Sequence, residues 1–272
     1  MITSLSNSTI VAIRKLHNLK ERRATGLFLA EGLRVVGQAL DSGAEIRQLI
    51  ICPDLLISEY GQQLVDRARK LGIDCLEVNE PVFASLARKD TPQGIAAVIA
   101  QRWQALESLT PQKGELWVGL QAVQNPGNLG TILRTCDAVG ATRLLLLDDC
   151  TDPYDPAAVK ASMGSIFTVQ LTKTHVEAFQ AWHAEHTEMT IVGTSDHAEE
   201  DYALTVYPQT CLLLMGSERQ GLPDEYIQLC TKMVRIPMEG SCDSLNLAVA
   251  TGIILYQIYN QRRNIFQSAG QQ

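Results

Sequence analysis

The stretch ELWVGLQAVQNPGNLGTILRT, residues 115–135, decides how the chain is built. It opens with an apolar run of strand length, and a turn holding Pro126, Gly127 and Gly130 follows. Glycines there let a backbone approach a neighbour closely. A helix is expected to begin near Leu129, with Asn128 at its capping end and Arg134 in its first two turns. Four more apolar runs lie downstream: RLLLL (143–147), TIVGT (190–194), CLLLM (211–215) and MVRIPM (233–238). Helical patterns separate them. Apolar strands alternating with helices indicate a parallel sheet covered on both faces. Ligands of such open sheets bind beyond the carboxyl ends of the strands.

Three loops occupy that position. The first is NPGNLGTILRT (125–135), after the strand ELWVGL. A dinucleotide fingerprint would need GxGxxG and an acidic ribose partner, and Gly127-x-x-Gly130 does not supply that spacing. The second is MGSERQGLP (215–223), where Glu218 and Arg219 are held in a glycine-bounded turn. The third is IPMEGSCDSLNLAVATG (236–252), in which Ser244, Leu245 and Asn246 lead into an almost wholly apolar helix, roughly 244–262. Such a helix is buried in a core or against another subunit. Taken singly, each loop also reads as an ordinary cap or turn with solvated charges. Taken together, three loops at the ends of parallel strands converge on one sheet edge.

The N-terminal part carries shorter elements. A helical pattern covers 8–18, FLAEGLRVVGQAL turns from strand to helix, and IRQLIIC, CLEV and GIAAVIA read as strands. Between them, EYGQQLVDRARKLG is helical and ends on Gly72, and PVFASLAR is a helix with Pro81 in its first turn. Residues 101–114 break the pattern and are taken as a linker, so the expected domains are 1–100 and 115–272.

Composition bounds the function. A hydrophobic fraction of 46% and a charged fraction of 19% suit a soluble globular protein. No membrane-length apolar run and no signal-peptide pattern is present, and the seven cysteines form no CxxC pair. A cytoplasmic protein without a metal is expected. The net charge of −7 is unevenly spread, +1 over residues 1–100 and −8 over the remainder. Arg14, Lys15, Lys20, Arg22, Arg23 and Arg34 lie close together in sequence, as either a phosphate footprint or a solvated helix face.

In order and spacing, the three loops resemble the three motifs of the SpoU/TrmH family of RNA ribose 2′-O-methyltransferases, of the SPOUT class. TDPYDPAAVKASMGSIF between the first two also fits that pattern, and KERRATGLFLAEGLRVV with TPQGIAAV resembles the substrate-binding domain often fused ahead of it. The resemblance implies a C-terminal parallel-sheet α/β domain with a trefoil knot, preceded by a small ribosomal-protein-like α/β domain. It implies S-adenosylmethionine as cofactor, RNA as substrate, with ribosomal favoured over transfer RNA, and a homodimer whose active site is completed across the interface. It assigns catalysis to Asn128, Arg134, Glu218, Ser244 and Asn246. Cofactor contacts fall to Met215, Gly216, Ser217, Ile236, Met238 and Leu245, with Thr194 a further candidate. Arg14, Lys20, Arg22, Arg23, Arg34 and Gln93 would contact RNA. In this reading Arg134, always protonated in ordinary surroundings, clamps a phosphate and lowers the proton affinity of the hydroxyl. One departure is visible: many members continue after Ser-Leu-Asn with Val-Ser, and here Leu247-Ala248 follow. A non-catalytic RNA-binding or ribosome-assembly protein of the same fold is the competing reading, and retention of the full residue set opposes it.

Overall fold

The computed structural model describes residues 1–87, 91–242 and 244–269. It divides into two compact units, Met1–Arg102 with Asp152–Thr168, and Trp103–Thr151 with Val169–Gln272.

The first unit runs α1 (Ser8–Lys15), α2 (Leu19–Thr25), β1 (Leu27–Glu31), α3 (Leu33–Asp41), β2 (Ile46–Ile51), α4 (Glu59–Lys70), β3 (Cys75–Glu77), α5 (Glu80–Leu86) and β4 (Ile95–Ala100). Polar side chains cap its helices in the ordinary way: Asn7, Asn18, Ser58 and Asn79 accept backbone N–H groups at the starts of α1, α2, α4 and α5. The strands form a mixed sheet in the order β1-β4-β2-β3, antiparallel except for β2 with β3. Ile10, Ile13 and Leu16 pack with Ile50, Val82, Phe83 and Val98 in one core cluster. The helix expected over 8–18 is broken, because Asn18 caps a second helix, α2, over KERRAT. The helix expected over 81–88 spans Glu80–Leu86, and Arg88 lies outside the described residues.

The second unit begins with β5 (Leu116–Gln121), α6 (Pro126–Val139) and β6 (Arg143–Leu147). The chain then returns to the first unit through Asp152–Thr168, which holds α7 (Pro156–Ser162). The second unit resumes with β7 (Gln170–Thr174), α8 (Val176–Glu185), β8 (Thr190–Thr194), β9 (Glu200–Asp201), β10 (Cys211–Met215), α9 (Asp224–Ile227), β11 (Lys232–Arg235) and α10 (Leu247–Ala269). All seven strands are parallel, in the order β7-β6-β5-β10-β8-β11-β9. β7 and β9 were not foreseen; Gln170–Thr174 is polar at four of five positions, and Glu200–Asp201 is too short to show a period.

Two expected boundaries shift. The stretch taken as a linker packs onto the second unit from Trp103 onward: Leu106 and Leu109 are buried with Phe179 and Trp182, and Trp182 Nε1 donates to Leu109 O at 3.0 Å. The segment after β6, assigned from sequence to the C-terminal domain, belongs to the first unit. Arg22 explains why. Its side chain is 2% exposed, Nε donates to Asp152 at 2.7 Å, Nη2 approaches Asp155 at 3.5 Å, and Nη1 donates to the carbonyls of Leu16 and His17. Tyr154 adds a ring contact to Phe28 at 4.7 Å and hydrogen bonds to the backbone of Arg102. Arg22 is therefore a buried structural ion-pair residue, and its expected contact with RNA is withdrawn.

Candidate active site

Strands β5, β10, β8 and β11 are consecutive neighbours in the sheet. From β5 the chain goes next to β6, on the side away from β10, so the order reverses between β5 and β10. In open parallel sheets ligands bind beyond the carboxyl ends of the strands. The loops after β8, β10 and β11, with the start of α10, line a cleft of about 580 Å³. That is the size of a small-molecule site.

All seven residues expected at a cofactor reach this cleft: Thr194 from β8, Met215, Gly216 and Ser217 from β10 and its loop, and Ile236, Met238 and Leu245 from the third loop. Glu218 and Ser244 line it as well. Gly216 is required for a reason other than ligand approach. A Cβ there would stand 2.1 Å from the carbonyl carbon of Gly221, because Ser217 and Gly221 pair their backbones across the tip of the loop. The loop closes upon itself, and only glycine fits the closure.

Asn128, Glu218 and Asn246 form a chain of hydrogen bonds. Asn246 Nδ2 donates to Asn128 Oδ1 at 3.0 Å, and Asn128 Nδ2 donates to Glu218 Oε1 at 3.1 Å. The Glu218 carboxylate also accepts the backbone N–H groups of Gln124 and Asn125 at 3.3 and 3.4 Å. Asn246 Oδ1 accepts from Ala248 and Val249 N–H and so caps α10. The trio ties the first, second and third loops together. A carboxylate whose oxygens take three N–H donors acts here as a staple between the loops.

Helix α6 starts at Pro126, three residues earlier than expected. Asn125 is its cap, accepting from Gly127 and Asn128 N–H, so Asn128 lies inside the first turn. Arg134 consequently falls on the third turn. It is exposed, makes no hydrogen bond or ion pair among the described residues, and does not line the cleft.

A second polar link lies deeper. Asp148, at φ +60°, accepts from Gln121 Nε2 at 3.0 Å, from the Tyr226 hydroxyl at 2.9 Å and from Val176 N–H at 3.2 Å. It joins the ends of β5 and β6 to α9, which follows the second loop. Burial, with the Asp148 carboxylate as acceptor, raises the pKa of Tyr226 and keeps its proton in place.

Sequence reasoning missed several cleft residues. Ser195, Asp196 and His197 after β8, Arg219 and Gln220 in the second loop, and Arg235 at the end of β11 all line it. One of them is a histidine, His197, from a fourth loop outside the three motifs, with Asp196 3.8 Å from its Nε2. His183 on α8 and His186 at its C-terminal cap pack on aromatic rings: His183 against Phe179 at 6.4 Å and His186 against Trp182 at 4.6 Å. Among the described residues no group of three His, Cys, Asp or Glu side chains is arranged to hold a metal.

Of the residues expected on RNA, Lys20, Arg23 and Arg34 are exposed on the first unit. Arg14 donates to Ser85 Oγ at 2.9 Å and to Leu5 O at 3.2 Å, and Gln93 Oε1 accepts Leu33 N–H at 3.2 Å.

A parallel sheet with a cleft at the carboxyl ends of β8, β10 and β11, joined to a small mixed-sheet unit, defines an α/β ligand-binding protein of two units. Comparison with known proteins narrows this. Residues 115–256 match the model of the SpoU rRNA Methylase family, and residues 7–97 match an MRM3-like substrate binding domain. The chain belongs to the SpoU rRNA Methylase family. It is 30% identical over 253 residues to a 23S rRNA (uridine(2479)-2′-O)-methyltransferase of Streptomyces viridochromogenes, covering 91% of this chain and 87% of that one. It is 29% identical to a 23S rRNA (guanosine(2553)-2′-O)-methyltransferase of Bacillus subtilis, covering 94% and 98%. The crystal structure of an AdoMet-bound rRNA methyltransferase from Sinorhizobium meliloti superposes with a TM-score of 0.86 at 39% identity, over 97% of both chains.

Proposed function

We propose that this protein transfers the methyl group of S-adenosylmethionine to a ribose 2′-hydroxyl of ribosomal RNA. The observation that carries the proposal is the convergence of Thr194, Met215–Glu218, Ile236, Met238, Ser244 and Leu245 on one cleft at the carboxyl ends of neighbouring parallel strands. The relatives named for 2′-O-methylation of 23S rRNA favour ribosomal over transfer RNA.

The cleft suits the cofactor chemically. Met215, Leu222, Ile236 and Ile254 offer apolar walls for a purine ring, while backbone groups and Ser217, Glu218 and Ser244 offer polar contacts. S-adenosylmethionine, when bound, supplies a methyl group already electrophilic on its sulfonium sulfur. The protein's task is then alignment and removal of one proton. The Asn246–Asn128–Glu218 chain fixes the three loops relative to one another.

Arg134 takes the role of clamping the phosphate beside the target ribose and stabilising the developing alkoxide. Since it lies off its own chain's cleft, we assign it to the cleft of a second copy. Helix α10, against which α6 packs, presents Val249 and Tyr256 at 51% and 46% exposure and is the surface on which that copy would sit. We read the second unit as the knotted form its family implies, and the first, with Asp152–Thr168, as the RNA-binding unit. Among the described residues no helix is long and apolar enough to cross a membrane, and the reaction belongs in the cytoplasm with its substrate.

Mapping ribose methylation across ribosomal RNA tests the function. Cells lacking the gene should lose methylation at one or a few 2′-hydroxyls, restored by the intact gene. Full retention of every site would contradict it.

A further inference from the structure

The second unit is acidic, with nine Lys and Arg against seventeen Asp and Glu. Four of those nine cations are committed to the fold. Arg143 donates to Gln104 and stacks on Trp117, Lys232 pairs with Glu200, Arg262 donates to the carbonyls of Gly114, Glu115 and Gln209, and Arg263 lies over the Tyr259 ring. Lys113, Arg134, Lys173, Arg219 and Arg235 have no side-chain partner among the described residues. Of these five, only Arg219 and Arg235 line the cleft.

They reach it from different directions. Arg219 stands in the exposed turn between Ser217 and Gly221, and Arg235 is the last residue of β11. Both are exposed, whereas Met215 and Gly216, which line the same cleft, are buried. Two solvated guanidinium groups at the mouth of a cleft, in a unit that otherwise repels polyanions, suit ligands that carry charge at regular intervals outside the cavity. Guanidinium is also the group whose planar fork matches phosphate oxygens.

We infer that Arg219 and Arg235 grip the RNA backbone on either side of the target nucleotide, setting which ribose enters the cleft. The inference rests on the methyl-transfer reading above. It gives the second unit its own phosphate contacts, separate from the exposed Lys20, Arg23 and Arg34 of the first unit and from Arg134.

The test uses the full-length protein and an unmodified 23S ribosomal RNA transcript, with binding measured across a salt series. Arg219→Ala and Arg235→Ala should each weaken RNA binding about tenfold and lower the slope of log affinity against log salt by about one. The double variant should lower the slope by about two. Arg→Lys variants should keep most of the slope, since a point charge still neutralises a phosphate. Affinity for S-adenosylmethionine, measured by calorimetry on the same samples, should be unchanged, which also shows that the variants fold. Lys113→Ala, whose side chain lies away from the cleft, should behave as wild type. A double variant that keeps the wild-type slope while the wild type methylates the transcript overturns this inference alone. Loss of cofactor affinity with an unchanged slope also overturns it, assigning the arginines to the carboxylate of the cofactor. A wild-type protein that neither binds nor methylates ribosomal RNA overturns the methyl-transfer reading and this inference with it.

Discussion

The cleft of the second unit and the basic stretch of the first respond differently to the same kind of reading. Residues spread over Thr194 to Asn246 were expected to meet and do: nine of them line one cleft, and Asn246 reaches it through Asn128 and Glu218. Residues 14–34 are adjacent in sequence, yet they do not act as one surface. Arg22 is buried in ion pairs, Arg14 is occupied by Ser85 and Leu5, and Lys20, Arg23 and Arg34 are exposed. A loop at the end of a parallel strand has its place set by the sheet, so distance along the chain does not matter. A charge on a short helix has its direction set by a rotation of about 100° per residue, and neighbours in sequence point apart.

The largest effect expected concerns Arg134, the one catalytic candidate outside the cleft network. Arg134→Ala should lower methyl transfer about 10³-fold while leaving cofactor affinity intact, as read by single-turnover assay and calorimetry. If the proposed second copy supplies Arg134, mixing Arg134→Ala with a variant that fills the cofactor cleft, such as Ile236→Trp, should restore activity that neither has alone, because a mixed pair then holds one complete site. Absence of restoration would place Arg134 in its own chain's chemistry.

Arg22→Ala sharpens the other side of the comparison. It leaves Asp152, with a side chain 12% exposed, without its partner. The cost in denaturant unfolding should be about 3 kcal/mol, against less than about 0.5 kcal/mol for Arg23→Ala. An Arg22→Ala protein of wild-type stability with a flattened salt dependence of RNA binding would return Arg22 to the RNA surface.

Smaller changes follow at exposed cations. Glutamate replacements at Lys20, Arg23 and Arg34 should weaken binding to the ribosomal RNA transcript and reduce the salt slope by roughly one for each phosphate left without its cation. Smallest of all, iodoacetamide at pH 8 should modify the exposed Cys242 first. Burial holds the thiols of Cys150 and Cys230 protonated, at about 11 and about 12. Saturating S-adenosylmethionine should slow Cys242 labelling, since that residue precedes Ser244 and Leu245 of the cleft. Labelling that begins at Cys150 would mean the β5–β6 end opens.

Much of the second unit was legible because the cores of its strands β5, β6, β8 and β10 are apolar on both faces, which water-facing segments cannot imitate. The polar β7 and the two-residue β9 carried no such signal. Asn125 rather than Asn128 as the cap of α6 turned on a Pro at the first helical position, visible in sequence but outweighed there by Gly130. The return of Asp152–Thr168 to the first unit rests on long-range contacts, Arg22 with Asp152 and Asp155 and Tyr154 with Phe28 and Arg102, which no local pattern encodes. The cleft's unforeseen members, Asp196, His197 and Arg235, lie outside the motif loops at the ends of β8 and β11, and only the strand order β10-β8-β11 brings them in.

The most direct test of the account follows the methyl group itself. Purified protein, methyl-deuterated S-adenosylmethionine and ribosomal RNA from cells lacking the gene are combined, and the nucleosides are analysed by mass spectrometry. Label is expected on a ribose 2′-oxygen, lost in Arg134→Ala and retained in Lys113→Ala. Label on a base, or no label with the intact protein, would contradict it.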